Sequence, residues 1–207
     1  DPLMGRPVRL QLSDIEQKLL NERRGGYCFE QNLLFKAVLE SMDFKVTPLA
    51  AGVLWGHDAD PGYSPELTHM ALLVDVGGVP YLADVGFGGQ VATAPIRLRA
   101  DVEQGTPLER YRLTGGHPKW RLASEIDGAW RGLYEFTLAP QTFEDFVALN
   151  GVEMTAMSEF LIAARVDNTK RHGLWNARLN THENGTTTTR RLTSVAELRE
   201  VLTGVFG

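Results

Sequence analysis

The sequence is short of several things, and each shortage narrows what the chain can do. It has one cysteine, Cys28, so no intramolecular disulfide can form. Together with the absence of a signal-peptide pattern in Asp1-Pro2-Leu3-Met4-Gly5-Arg6, this leads us to expect a reducing, cytoplasmic setting. No stretch approaches the roughly 18 uninterrupted apolar residues of a membrane helix, so no membrane partner is expected. Positive charge is also scarce: Lys and Arg total 21 against 26 Asp and Glu, a net charge of −5. Nucleic-acid binding needs a basic surface, which this balance argues against, although a local pocket for one anionic cofactor stays open. CxxC and HxxxH spacings are missing, so no metal site is expected. There is no Gly-Lys-Ser/Thr phosphate loop, no internal repeat and no low-complexity tract.

What is present is the composition of a folded domain. Of 207 residues, 43% are apolar and 23% charged, enough to build a core and to solvate its surface. Ser13 and Glu16 read as a capping box opening a helix to about Glu22, which Gly25-Gly26 ends. A second helix is predicted from Cys28 to Ser41, with Leu34, Phe35, Val38 and Leu39 as its apolar stripe. Strands are predicted at Lys45–Trp55, Leu67–Val76, Val79–Val85, Arg110–Leu113, Trp120–Ile126 and Ala129–Leu138. Gly77-Gly78 and Asp127-Gly128 fall where hairpin turns belong. A helix at Thr142–Asn150, strands at Phe160–Val166, Leu174–Leu179 and Thr186–Leu192, and a last helix capped by Ser194 and Glu197 complete the pattern. The order of helices, then short strands, then a mixed tail predicts an α+β fold with a small antiparallel barrel or sandwich.

Cys28 is the first candidate for chemistry. Gly25-Gly26 lets the backbone approach sharply, and the cysteine then falls in the first turn of a helix. Free N–H groups and the positive end of the helix dipole favour a thiolate there, with Arg23 and Arg24 adding positive charge. A cysteine nucleophile needs a base. Of five histidines, His57, His117, His172 and His182 lie in polar surroundings that read as loops or turns. His69 lies on a strand face shared with Leu67, Ala71 and Leu73. If Gly77-Gly78 makes a symmetric two-residue turn, Val76 faces Val79, and Asp84 falls opposite Ala71, diagonal to His69. Diagonal neighbours are roughly 7–8 Å apart, so imidazole and carboxylate can meet. A three-residue turn would place them on opposite faces. Beyond Asp84, the glycines of Val85-Gly86-Phe87-Gly88-Gly89 suit a loop that passes close to a ligand or bends sharply.

The chain carries three motifs in fixed order: Arg24-Gly25-Gly26-Tyr27-Cys28-Phe29-Glu30-Gln31-Asn32, Thr68-His69-Met70, and Asp84-Val85-Gly86-Phe87-Gly88-Gly89. They closely resemble those of the arylamine N-acetyltransferase family, bacterial branch, and the resemblance extends over nearly the whole chain. It implies an α+β fold with a cysteine-protease-like Cys-His-Asp core: a helical bundle region at 1–43, truncated because the resemblance begins part-way into the family pattern; an antiparallel β-barrel at 44–140; and an interdomain helix and α/β lid at 141–207. It also implies acetyl transfer from acetyl-CoA to arylamines, arylhydroxylamines or hydrazines by a ping-pong route, without a metal. Cys28 would carry the acetyl thioester, His69 would activate it and Asp84 would orient His69. Thr68 and Gly88 would lie on the cofactor side, with Phe87 and Thr68 beside the acceptor.

Two departures accompany the resemblance. The usual carboxylate partner of Arg24 belongs to the missing first helices, whose absence predicts marginal stability. The segment Asn150–Phe160 lacks a His-Pro pair. Two other activities share the triad: an amide synthase of the same superfamily acting on a polyketide thioester, and a Cys-His-Asp hydrolase. A binding module with a degenerate site would be a non-enzymatic alternative, and a homo-oligomer is possible in any of these cases.

Overall fold

The computed structural model describes residues 1–207 except 58, 59 and 61, and except the side chains of 152–157. A short helix α1 (Leu12–Glu16), continued by a wider turn over Gln17–Asn21, leads to α2 (Cys28–Ser41). Eight strands follow: β1 (Lys45–Val53), β2 (Leu67–Val76), β3 (Val79–Ala83), β4 (Ile96–Arg97), β5 (Glu103–Gly105), β6 (Arg110–Gly115), β7 (Lys119–Ile126) and β8 (Ala129–Thr137). Helix α3 (Phe143–Met157) then leads to β9 (Ile162–Val166), β10 (Lys170–Trp175), β11 (Arg178–Glu183), β12 (Thr186–Arg191) and α4 (Val195–Val201). Among the described residues, no helix is long and apolar enough to cross a membrane.

The first eight strands form one antiparallel sheet in the order β4-β3-β2-β1-β8-β7-β6-β5. It curls until its edges nearly meet. There the Gln104 amide imitates a strand partner, accepting from the Arg97 backbone N–H (2.8 Å) and donating to the Arg97 carbonyl (2.9 Å). The barrel interior is filled by Leu49, Ala51, Ala71, Leu82, Ile96, Tyr111, Leu113, Leu122, Tyr134 and Phe136. The other face of β1 and β2 carries Ala50, Met70, Leu72 and Val74, which pack against Phe29 of α2 and Phe146 of α3. These two strands are therefore covered on both faces, which explains their nearly unbroken apolar sequence. The last four strands form a separate antiparallel sheet, β12-β11-β10-β9. Its Leu174 and Leu179 pack with Val201 of α4. The α+β class and the barrel expected from the sequence are both present.

The hairpin on which the site depends has the symmetric register. Gly77 and Gly78 take φ of 62° and 84°, the left-handed pair that a two-residue turn between twisted strands requires. Val76 faces Val79 and Leu72 faces Ala83.

Several expectations need correction. Gln11, not Ser13, precedes the first helix, and no capping side chain closes that end. Of the expected apolar stripe, Phe35 and Leu39 pack against the core but Val38 is exposed, and α2 turns Cys28, Phe29, Asn32 and Leu33 inward as well. The segment Leu174–Leu179 is not one strand: Asn176, at φ 51°, reverses the chain between β10 and β11. Helix α3 runs on to Met157, and Thr142 caps its start by accepting from the Asp145 N–H (3.2 Å). His172 and His182 lie in strands, where each ring pairs with a threonine hydroxyl across the ladder. The short strands β4 and β5 carry too few residues for a periodic signal. The missing His-Pro pair falls in a segment whose side chains at 152–157 lie outside the described residues.

Candidate active site

Helix α2 begins at Cys28, and the geometry of its first turn explains why. Tyr27 is extended (φ −107°, ψ −172°), and its backbone N–H donates to the Glu30 carboxylate at 3.1 Å, satisfying one of the free donors at the helix end. Glu30 is itself neutralised by Lys18 at 2.6 Å, which also pairs with Asp1 at 2.8 Å. Asp1 receives Arg24 as well, so that arginine has a carboxylate partner within this chain, contrary to expectation. Gly26 packs closely here: a Cβ would lie 2.8 Å from the end of the Leu19 side chain and 3.2 Å from Glu30.

Cys28, His69 and Asp84 come together from three elements. The Cys28 thiol, 8% exposed, points to the Thr68 carbonyl oxygen at 3.7 Å. His69, one residue on in β2, is 2% exposed, and its Nε2 lies 2.7 Å from Oδ2 of Asp84. Cys28 also acts on the imidazole, favouring its protonated form. Burial works to lower the His69 pKa. The charge of Asp84 and its hydrogen bond, aided by Cys28, outweigh that and raise it to about 10. For Asp84 the signs reverse: burial pushes its carboxyl up, but His69, Asn32 and the Gly86 N–H hold it below the usual range. A buried charge pair of this kind persists only because each partner is hydrogen-bonded.

Asn32, to which the sequence motifs give no role, connects the site. One turn after Cys28 and fully buried, it donates from Nδ2 to the Met70 carbonyl (2.8 Å) and to Oδ1 of Asp84 (3.0 Å). Its Oδ1 accepts from the Val85 N–H at 3.1 Å. One amide thus ties α2 to β2 and to the end of β3. The i, i+4 spacing from Cys28 and a polar residue on an apolar helix face were the available signals. Tyr134, also unassigned, stacks obliquely on His69 at 4.9 Å between centroids. Burial, reinforced by the charge of Asp84, keeps its phenol protonated far above the ordinary pKa.

The glycine-rich loop closes the other side. Gly86 lies against Cys28: a Cβ there would come within 2.6 Å of the Cys28 Cα and 2.9 Å of its carbonyl oxygen. The Gly86 N–H donates to Oδ1 of Asp84 at 2.8 Å. Phe87 sets its ring at right angles to His69, 5.0 Å between centroids, and also touches Tyr134 at 5.2 Å. Gly88 follows with φ of 64°, beginning the turn Gly88–Gln90. The site residues read from the sequence, Cys28, Thr68, His69, Asp84, Phe87 and Gly88, therefore gather in one place. Among the described residues, no group of three or more His, Cys, Asp or Glu is placed to hold a metal ion.

The sequence and the fold are both similar to those of known proteins. A family model described as N-acetyltransferase matches residues 1–207. The arylamine N-acetyltransferase of Mycolicibacterium smegmatis is 40% identical over 214 residues, covering 100% of this chain and 78% of that protein. The arylamine N-acetyltransferase / N-hydroxyarylamine O-acetyltransferase of Salmonella typhimurium is 43% identical over 150 residues, covering 72% of this chain and 52% of that protein. Among solved structures, Mycobacterium marinum arylamine N-acetyltransferase in complex with CoA superposes with a TM-score of 0.95 at 36% identity, over 100% of this chain and 79% of that one. The chain belongs to the N-acetyltransferase family, whose matched members are arylamine N-acetyltransferases, and is an acyltransferase.

Proposed function

We propose that the chain moves an acetyl group from acetyl-CoA to the nitrogen of an arylamine, arylhydroxylamine or hydrazine through a thioester on Cys28. The observation that carries this reading is the buried His69–Asp84 pair, 2.7 Å apart, with the Cys28 thiol against the carbonyl of the neighbouring Thr68. The CoA complex of the M. marinum relative supports the donor.

In the first half-reaction, Asp84 holds His69 as an imidazolium beside the Cys28 thiolate, and the thiolate attacks the thioester carbonyl. The tetrahedral intermediate collapses as the CoA sulfur leaves, taking its proton from His69. The acetyl group is then a thioester on Cys28. An acceptor amine attacks that thioester, His69 takes the amine proton, and the amide leaves as the Cys28 thiolate is restored. Asp84 fixes the ring so that the nitrogen facing Cys28 is the one that exchanges protons. Thr68 and Gly88 border the approach of the donor, and Phe87 bounds the space above the sulfur.

Intact mass after brief incubation with acetyl-CoA and no amine tests the reading. The expected result is a gain of one acetyl group, absent in Cys28→Ala and discharged by added arylamine. No adduct on a folded protein refutes acetyl transfer from acetyl-CoA. An adduct that water discharges as fast as the amine does would identify a hydrolase instead.

A further inference from the structure

The most heavily hydrogen-bonded buried charge outside the triad is Arg171, on the face of β10 that meets the turn Gly88–Gln90. Its side chain is 4% exposed and that of its partner Glu109 is 7% exposed. Nε and Nη2 of Arg171 grip the two carboxylate oxygens of Glu109. Nη1 donates to the carbonyls of Gly89 (3.1 Å) and Val91 (2.8 Å), while Nη2 also donates to the Tyr111 hydroxyl at 3.0 Å. That hydroxyl lies 3.3 Å from the Gln90 carbonyl and 3.2 Å from that of Val91. Three successive carbonyls, Gly89, Gln90 and Val91, are therefore held from one buried cluster. The Gln90 side chain adds a bond to the buried Ser124 at 3.5 Å.

Stability alone does not explain such a pair, because packed apolar side chains would serve as well without the cost of burying two charges. What the cluster holds is the far end of the loop that begins at Gly86. Two residues before Gly89, Phe87 stands edge-on to His69, and Gly86 abuts Cys28. We propose that Arg171 and Glu109 are a positioning pair that anchors this loop from the C-terminal sheet, keeping Phe87 against His69 and so setting how large an acyl group fits over Cys28. The inference rests on the reading that Cys28 is acylated. Lysine cannot substitute, since a point charge cannot span a carboxylate fork and two carbonyls at once.

The test compares wild type with Arg171→Lys and with the double variant Arg171→Gln/Glu109→Gln, which leaves no lone charge buried and so stands in if the single variant does not fold. Acylation of Cys28 by p-nitrophenyl acetate and p-nitrophenyl butyrate is followed by intact mass and by kcat and KM. The pH profile of Cys28 alkylation by iodoacetamide reports the triad separately. We expect an unchanged alkylation profile, a raised KM for both esters, and a preference for acetate over butyrate that falls by about tenfold. Unchanged KM and preference in a folded variant overturn the proposal. So does a common loss in every readout that follows the unfolded fraction, which would mark a purely structural pair. If wild-type Cys28 is acylated by neither ester, the functional reading and this inference fall together, whereas normal wild-type acylation with unaltered preference removes the inference alone.

Discussion

Replacing Gly86 by alanine is the sharpest single perturbation of the site, because the backbone there leaves no room for a methyl group. The added Cβ would lie 2.6 Å from the Cys28 Cα, 2.7 Å from Asn32 Nδ2 and 2.9 Å from the Cys28 carbonyl oxygen. Ordinary contact begins at 3.4 Å, so the start of α2 and the loop must part by close to an ångström. Neither obstacle beside Cys28 is a flexible side-chain end; both are backbone. The movement carries the thiol away from His69 and strains the bonds that Gly86 N–H and Asn32 make to Asp84. Displacement of this size in a reacting group costs about 100-fold in rate, and the overpacking about 1–3 kcal/mol of stability. The assay is the time course of the acetyl-enzyme mass after mixing with acetyl-CoA, read on protein shown by circular dichroism to be folded. Gly25→Ala is the control, since nothing lies within 4 Å of a Cβ at that position and it should react as wild type does. A folded Gly86→Ala that acetylates at the wild-type rate would refute the reasoning, as would an equal loss in both variants.

Three further outcomes follow from the same geometry. Cys28→Ser and His69→Ala should each abolish turnover, and Asp84→Asn should retain substrate binding but lose most of the rate; turnover surviving in Cys28→Ser would exclude the covalent route. The folded-state pKa of His69 is raised from 6.5 to about 10, so the stability linked to its protonation is present in full below pH 6.5 and fades as pH rises toward 10. Urea midpoints of wild type and His69→Gln should therefore converge across that window, and a gap that does not change with pH would count against the buried ion pair. Asn32→Ala leaves the Met70 carbonyl, the Val85 N–H and one contact of Asp84 unmet, a loss of about 2–4 kcal/mol by urea denaturation. A change under 1 kcal/mol would mean water replaces the amide at little cost.

The loop-anchoring pair and the triad share one structural logic. In both, charged groups are removed from water and every donor is given a fixed acceptor, so each side chain has a single arrangement. At His69 and Asp84 the result is an imidazole held in one orientation. At Arg171 it is the Gly89–Val91 backbone held in one conformation.

How much of this was legible in the sequence depends on how far apart along the chain the interacting residues lie. The Gly77-Gly78 turn is local: two residues able to adopt left-handed angles impose a symmetric hairpin, and that register alone brings Asp84 to the side of His69, 15 residues away. The start of α2 at Cys28 and the capping of α4 by Ser194 are equally local, each settled by a few hydrogen bonds within one turn. Local pattern also misleads where tertiary contact overrides it, as at Val38 and across Asn176. Tertiary structure alone decided that Asn32 should bridge α2 to Asp84, that Tyr134 should cover His69, and that Arg171 should reach Glu109 across 62 residues while bonding the Gly89 and Val91 carbonyls. Such contacts leave no periodic trace, because their energy depends on burial and on a partner that only the packed chain brings within reach.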